Sequence, residues 1–208
     1  MTNQTPDGIS GYDHDPRTYV EMSNALVFEN VHESVLHLIP SPPARVLDIG
    51  TCSGRDAAAL ARRGHAAVAV EPVPAFLEQA KRLHPALDIR WVYDSLPDLR
   101  CFRGGSDNFD FIVIHAVWMH LNQAERKRAM TRIAQLMRPD AILTLTLRHG
   151  PVPENKIMYA VDSDETIRLA KDNGLRVALH LENQKSALRR TDVTWTRLAF
   201  RKADSDHP

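Results

Sequence analysis

The chain has 208 residues, 25% of them charged and 43% hydrophobic, with Lys plus Arg equal to Asp plus Glu at 26 each. That length favours one core over two, and that balance belongs to globular chains rather than disordered or membrane-embedded ones. Level charge leaves no global field to draw in phosphate backbones or acidic membranes, so neither nucleic acid nor membrane is an expected partner.

Residues 1–12 are polar, contain Gly and Pro, and read as a loose arm. From Thr18 to Leu38 apolar residues recur at helical spacing, ending before the prolines of IPSPP, which predicts one amphipathic leading helix. ARVLDIG is a short apolar run ending at a glycine turn, a buried strand, and RDAAALARRG is a helix closed by glycine. HAAVAVEP is a second strand, PAFLEQAKRL a helix, DIRWVY a third strand and FDFIVIH a fourth, apolar on both faces as a central parallel strand is. QAERKRAMTRIAQLM is a helix ended by Pro139, and AILTLTL is a fifth strand. SDETIRLAKDNG is a helix with Ser163 as its N-cap and Gly174 as its stop. LRVALHL and VTWTRLAF follow with only a loop between them and form an antiparallel pair. KADSDHP reads as a frayed tail.

Strands alternating with helices imply right-handed crossovers and a doubly wound, mostly parallel α/β sheet. One domain is expected over 1–208, with an N-terminal arm and helix in 1–40 and an α/β core in 44–200. The first twenty residues show no basic start followed by an apolar run, so a cytoplasmic location is expected. Cys52 and Cys101 are too few and too far apart for a disulfide framework or zinc site, and no metal is expected.

In such a sheet the ligand crevice lies beyond the carboxyl ends of the strands, and the first strand-to-helix loop borders it. That loop is VLDIGTCSGRDAAAL. An acid, Asp48, precedes the first glycine, where it would repel a pyrophosphate and suit a cationic amine. Gly50 and Gly54 permit a tight turn and close backbone approach. Cys52 stands where a middle glycine would be, acceptable if the position needs little volume and no positive φ.

These residues resemble motif I of the class I S-adenosylmethionine-dependent methyltransferases, an acid, then Gly two residues on, then x-Gly-x-Gly, with Cys52 as the departure. The resemblance covers residues 44 to 148 by motif and reaches about 200 by strand pattern. It implies a seven-stranded sheet of order 3-2-1-4-5-7-6 with the last strand antiparallel. S-adenosyl-L-methionine is then the cofactor and S-adenosyl-L-homocysteine the product. Asp48, Gly50, Thr51, Cys52 and Gly54 form the cofactor loop, and Glu71, followed by Pro72, accepts the ribose hydroxyls. Asp94, Ser95 and Leu96 resemble the adenine site. MRPDAILTLTL resembles the family's Pro-Gly-Gly turn, with Asp140 and Ala141 in place of the glycines. Tyr12, Arg17 and Tyr19 lie where related enzymes close an N-terminal segment, a lid, over the cofactor.

Methyl transfer needs a nucleophile held near attack distance, and a base only if that nucleophile is protonated. His115, His120 and His149 are candidate bases. For His115 the preferred reading is a cofactor contact through its backbone carbonyl rather than catalysis. Trp118, Arg148, His149, Tyr159 and Tyr12 are candidate acceptor contacts, and Arg148 can clamp a carboxylate or phosphate-like group. The expected acceptor is a small molecule, anionic if the clamp holds, and the chain a monomer or homodimer.

Two rival readings remain. A non-catalytic cofactor- or partner-binding domain would keep the loop and close the acceptor pocket. A nicotinamide-dependent short-chain reductase would share the sheet and Glu71, yet no tyrosine here has lysine four positions later. The run HAVW after the fourth strand lacks the Asp/Asn-Pro-Pro-Tyr/Phe of amino-methylating DNA enzymes, and no acid lies between Ile112 and Asn122 to hold magnesium as in catechol-type enzymes.

Overall fold

The computed structural model describes residues 7–203 apart from residues 13, 104 and 106. Seven strands form one sheet of order β3-β2-β1-β4-β5-β7-β6. They are β1 (Arg45–Ile49), β2 (Ala66–Val70), β3 (Ile89–Val92), β4 (Phe109–Ile114), β5 (Met137–His149), β6 (Leu175–Lys185) and β7 (Thr194–Lys202). The helices are α1 (Pro16–Asn24), α2 (Phe28–His32), α3 (Arg55–Arg62), α4 (Pro74–Leu83), α5 (Gln123–Leu136) and α6 (Ser163–Lys171). β1 pairs in parallel with β2 and β4, and β7 inserts antiparallel to both β5 and β6. The sheet expected from the sequence is therefore present, with its order and its antiparallel β7.

Strands buried on both faces explain why the sequence runs apolar rather than alternating. Leu47, Ile49, Ile112 and Ile114 enter one core cluster, and Val46, Phe111 and Val113 enter the cluster on the other face. Every second residue of one strand thus serves a different helical layer, and the carboxyl ends of β1, β2 and β4 all open on the same side.

Three local expectations are corrected. The leading helix breaks into α1, α2 and a 3-10 turn over Glu33–Leu38, with Val27 extended at φ −79° and ψ 124°. The break lets Val20 of α1 pack with Val73 and Phe76 of the α4 side while Phe28 of α2 packs with the α3 side, two surfaces that one straight helix cannot cover together. Asp162, not Ser163, caps α6, because its Oδ1 accepts from the N3 amide of Glu165 at 2.7 Å. Pro139 does not separate α5 from its strand. β5 begins at Met137, opposite Phe109, and a bulge sets 138–141 against Asp110 before Ile142 meets Phe111. Asp140 takes φ 60° there, the conformation a glycine would adopt without strain.

The arm is also more ordered than the sequence suggests. Asp7–Ile9 form a 3-10 turn with Gly8 buried. A Cβ on Gly8 would stand 2.1 Å from the carbonyl oxygen of His120, so the arm lies backbone against backbone on the loop after β4. Residues 1–6 of the expected loose arm and 204–208 of the expected frayed tail lie outside the described residues. Lys202 belongs to β7, and the Ala203 amide donates to the Gly174 carbonyl at 3.0 Å.

Candidate functional site

A cavity of about 360 Å³ lies across the carboxyl ends of β1, β2 and β4, covered by the arm and α1. Its size and position match the crevice expected of an open α/β sheet. Asp48, Gly50, Thr51, Cys52, Glu71, Pro72, Ser95, Leu96 and His115, gathered from four strand ends, all line it, as do Tyr12, Tyr19, His120 and Arg148. Gly54, Asp94, Trp118, His149 and Tyr159 do not.

The loop after β1 is built around Asp48. Asp48 Oδ2 accepts from the Thr51 hydroxyl at 2.5 Å and from the Ala57 amide at 3.1 Å, tying the loop to the first turn of α3. Burial and the neighbouring Asp56 carboxylate push its pKa up to about 7. Gly50 is obligatory, since at φ 75° its Cβ would sit 2.4 Å from Val117 Cγ2. Gly54 is obligatory for packing rather than for a ligand, because its Cβ would press within 2.6 Å of Trp91 Cη2.

Cys52 overturns the condition on which the sequence admitted it. The residue does take a positive φ, 49°, and still carries a side chain. Its thiol lies 3.8 Å from the Tyr19 carbonyl oxygen and packs with Val20, Val73 and Phe76, so apolar contact offsets backbone strain. Burial raises the thiol to about 12, which keeps it neutral. Its amide donates to Glu71 Oε2 at 2.8 Å, while the Val73 amide donates to Glu71 Oε1 at 2.9 Å. Each carboxylate oxygen of Glu71 keeps a second lone pair for the cavity. Burial pushes Glu71 up to about 7.

Asp94 is turned away from the cavity. Its oxygens accept from the amides of Ser95 at 2.8 Å and Cys101 at 2.7 Å, closing the turn that presents Ser95 and Leu96 instead. Trp118 is fully buried in the main core. His149 Nε2 lies 2.8 Å from the Thr196 hydroxyl, tying β5 to β7, and the Tyr159 amide donates to the Met119 carbonyl at 2.8 Å, holding the segment before α6 against the loop after β4.

The remaining histidines separate by environment. His115 is wedged between His32, 5.3 Å away, and Trp195, 5.8 Å away and near-parallel at 18°. Burial holds it neutral, down to about 3. His120 Nε2 lies 3.0 Å from the Tyr12 hydroxyl, and its Nδ1 lies 3.2 Å from the Ile157 carbonyl oxygen. Arg148 Nη1 makes only a 3.4 Å contact, to the Gly150 carbonyl, and its buried Nη2 has no hydrogen-bond partner among the described residues.

Several lining residues escaped the sequence reading. Arg55 and Asp56 follow the glycine loop, where Arg55 Nε donates to Asp56 Oδ1 at 2.6 Å and Asp56 Oδ2 lies 2.8 Å from His32 Nε2. The sequence signal was present in the Arg-Asp pair, whereas the partner on α2 could not be foreseen. Trp195 and Arg197 of β7 and Lys185 of β6 reach the cavity because β7 lies beside β5. No group of three His, Cys, Asp or Glu among the described residues is arranged to hold a metal ion.

Residues 46–140 match a family model described as a methyltransferase domain. No curated protein matches the sequence. Solved structures with the same fold include a Burkholderia thailandensis 1,6-didemethyltoxoflavin-N1-methyltransferase with bound 1,6-didemethyltoxoflavin and S-adenosylhomocysteine. It is 23% identical, with 93% of this chain and 84% of that one covered and a TM-score of 0.68. A Synechocystis PCC 6803 magnesium protoporphyrin IX methyltransferase with bound S-adenosylmethionine is 15% identical, with 97% and 100% covered and a TM-score of 0.70. A TehB-like methyltransferase from Corynebacterium glutamicum is 20% identical, with 92% and 96% covered and a TM-score of 0.64.

Proposed function

This chain carries a methyltransferase domain of the class I fold, and from that premise we propose that it is an S-adenosylmethionine-dependent enzyme that methylates a small anionic metabolite. The observation that carries the reading is the pairing, in one cavity, of an acidic end at Asp48 and Glu71 with a cationic side chain, Arg148, whose Nη2 has no partner among the described residues. The residues fit the cofactor. Gly50 leaves room for close backbone approach, Asp48 suits a cationic amine, and Glu71 has a free lone pair on each oxygen for a ribose diol. Val73, Phe76 and Leu96 are buried apolar residues on the same wall and would plate the adenine, beside Ser95 and Pro72. When bound, the cofactor supplies an electrophilic methyl on a sulfonium.

The protein's own task is then positioning and exclusion of water. Arg148 anchors the acceptor's anionic group by charge-assisted hydrogen bonds. The arm, through Tyr12 and Gly8, and the loop carrying Lys156 shield the cavity, with Lys156 Nζ donating to the Gly11 carbonyl at 2.6 Å. Such shielding favours an in-line displacement with the reacting atoms held roughly 3 to 3.5 Å apart. Neighbours of the same fold named for methylating small molecules support a small-molecule acceptor, as does the enclosed cavity.

On this reading the chain is one methyltransferase unit, with the 44–200 core carrying the chemistry and the 1–40 segment covering it, acting as a monomer or homodimer. Two unpaired cysteines agree with a cytoplasmic setting, and no described helix is long and apolar enough to cross a membrane. Calorimetry with S-adenosylhomocysteine and with NADPH tests the reading. Binding of the first and indifference to the second is expected, and the converse rejects it in favour of a reductase.

A further inference from the structure

Tyr12, His120 and the Ile157 carbonyl form a hydrogen-bonded chain ending on the cavity, which both side chains line. A carbonyl only accepts, so His120 Nδ1 carries the ring proton, Nε2 holds the lone pair, and the Tyr12 hydroxyl donates to it. The arrangement is held from several sides. Gly8 lies against the His120 backbone, and Lys156 Nζ sits 3.4 Å from the Tyr12 ring centroid. The groups that bear electrostatically on this pair are Tyr19 and Cys52, the Glu71 carboxylate, and the cations Arg148 and Lys156. Burial holds His120 below the ordinary histidine range and Tyr12 above the ordinary tyrosine range, so at neutral pH the imidazole is an unprotonated base and the phenol keeps its proton.

Arg148 acts on the same pair from the next wall. It stands directly opposite Trp195 across the β5–β7 ladder, and Trp195 lies near-parallel to His115. A flat ring resting against Trp195 would therefore present a carboxylate to Arg148. Arg148, Lys156, Lys185 and Arg197 line the cavity as well as the acids Asp48, Asp56 and Glu71, and beside Arg148 the local charge favours an acceptor that carries a carboxylate.

Resting on the methyltransferase reading above, we propose that Tyr12 and His120 are a proton relay for the acceptor, and that the acceptor is an aromatic hydroxy acid whose hydroxyl meets Tyr12 while its carboxylate meets Arg148. The electron pair of the acceptor's O–H bond becomes the new O–C bond, and the pair of the broken S–C bond stays with the departing sulfur. The released proton passes to Tyr12 Oη as the phenol's own proton passes to His120 Nε2. The resulting imidazolium is held by Ile157 and returns its proton to water.

The test titrates the S-adenosylhomocysteine-loaded protein with the three hydroxybenzoate isomers and with benzoate, in the wild type, Tyr12→Phe and Arg148→Ala. At least one isomer should bind wild type about tenfold or more tightly than benzoate, as a site built to bond a hydroxyl discriminates against its absence. That advantage should shrink below about threefold in Tyr12→Phe, whereas Arg148→Ala should weaken isomer and benzoate alike. Nitrogen-15 NMR of the histidine rings should show His120 as the Nδ1–H tautomer and shift its Nε2 resonance when the preferred isomer is added. Benzoate binding as well as every isomer, no ring acid binding at all, or an advantage that survives Tyr12→Phe overturns the relay. So does a loss of S-adenosylhomocysteine affinity in Tyr12→Phe, the mark of a phenol that only latches the arm. If wild type fails to bind S-adenosylhomocysteine, the methyltransferase reading itself falls.

Discussion

The backbone amide of Cys52 donates to Glu71 Oε2 at 2.8 Å, so the carboxylate at the end of β2 holds in place the loop that follows β1. Glu71 also accepts from the Val73 amide at 2.9 Å and is 3% exposed. Replacing it with alanine strands both amides and removes the expected ribose partner. Glu71→Ala should weaken S-adenosylhomocysteine binding by about 1 to 3 kcal/mol, the cost of a lost hydrogen bond to a charged group, and lower thermal stability as well. Asp48→Ala should cost a similar amount in affinity. Unchanged affinity in both, measured by calorimetry, removes the cofactor from this wall.

Arg148→Ala should leave S-adenosylhomocysteine affinity unchanged while reducing turnover of an accepted anionic substrate. Among the described residues the guanidinium makes no ion pair, so its loss should remove little stability and bear chiefly on acceptor binding. A variant that loses cofactor affinity and keeps acceptor use contradicts the clamp.

Asp48 and Glu71, raised by burial to about 7 from the ordinary carboxylate range, stay protonated in the folded protein at pH values where the unfolded chain has released those protons. Their contribution to stability is greatest at low pH and declines as pH rises from about 4 to 7. A cationic amine beside Asp48 favours its carboxylate, so binding below pH 7 should expel a proton and tighten as pH approaches 7. Calorimetry in two buffers of different ionisation enthalpy measures this directly, and proton uptake on binding contradicts it. Asp56 is shifted downward despite its burial, by its contacts with His32 and Arg55, so its own contribution is lost only at still lower pH.

Asp140→Gly tests the bulge in β5. Asp140 is exposed and takes φ 60°, which glycine adopts freely. The substitution should raise stability by up to about 1 kcal/mol, read by thermal melting. Cys52→Gly, relieved of similar strain but stripped of its contacts with Val20 and Phe76, should change stability by less than about 1 kcal/mol in either direction. A large loss in the first variant would show that Asp140 makes contacts its backbone does not reveal.

The sheet was legible because the central strands are apolar for a local reason, burial on both faces, and α3 and α6 are stopped by Gly64 and Gly174 just beyond their ends. Strand order came from resemblance in the motifs around Asp48 and Glu71, not from periodicity. The leading helix misled because Val20 and Phe28 keep helical spacing through a break that only their different packing partners require. Trp118 and His149 were assigned to the cavity by their place after strands, but side-chain direction at a strand end depends on how the next loop turns. Lys185, Trp195 and Arg197 were missed for the opposite reason, since they enter the site only through the insertion of β7 between β5 and β6. Tyr12 and His120 were each visible in the sequence, yet their pairing spans more than a hundred residues and depends on Gly8 lying flat against the loop.

The most direct test of the account is calorimetric titration of the wild-type protein and Asp48→Ala with S-adenosylhomocysteine, with NADPH as the comparison ligand. One-to-one binding of S-adenosylhomocysteine to wild type, weakened by about 1 to 3 kcal/mol in Asp48→Ala, with no response to NADPH, is the result predicted. Binding of NADPH, or S-adenosylhomocysteine binding that is indifferent to Asp48, would contradict the assignment of this cavity to a sulfonium cofactor.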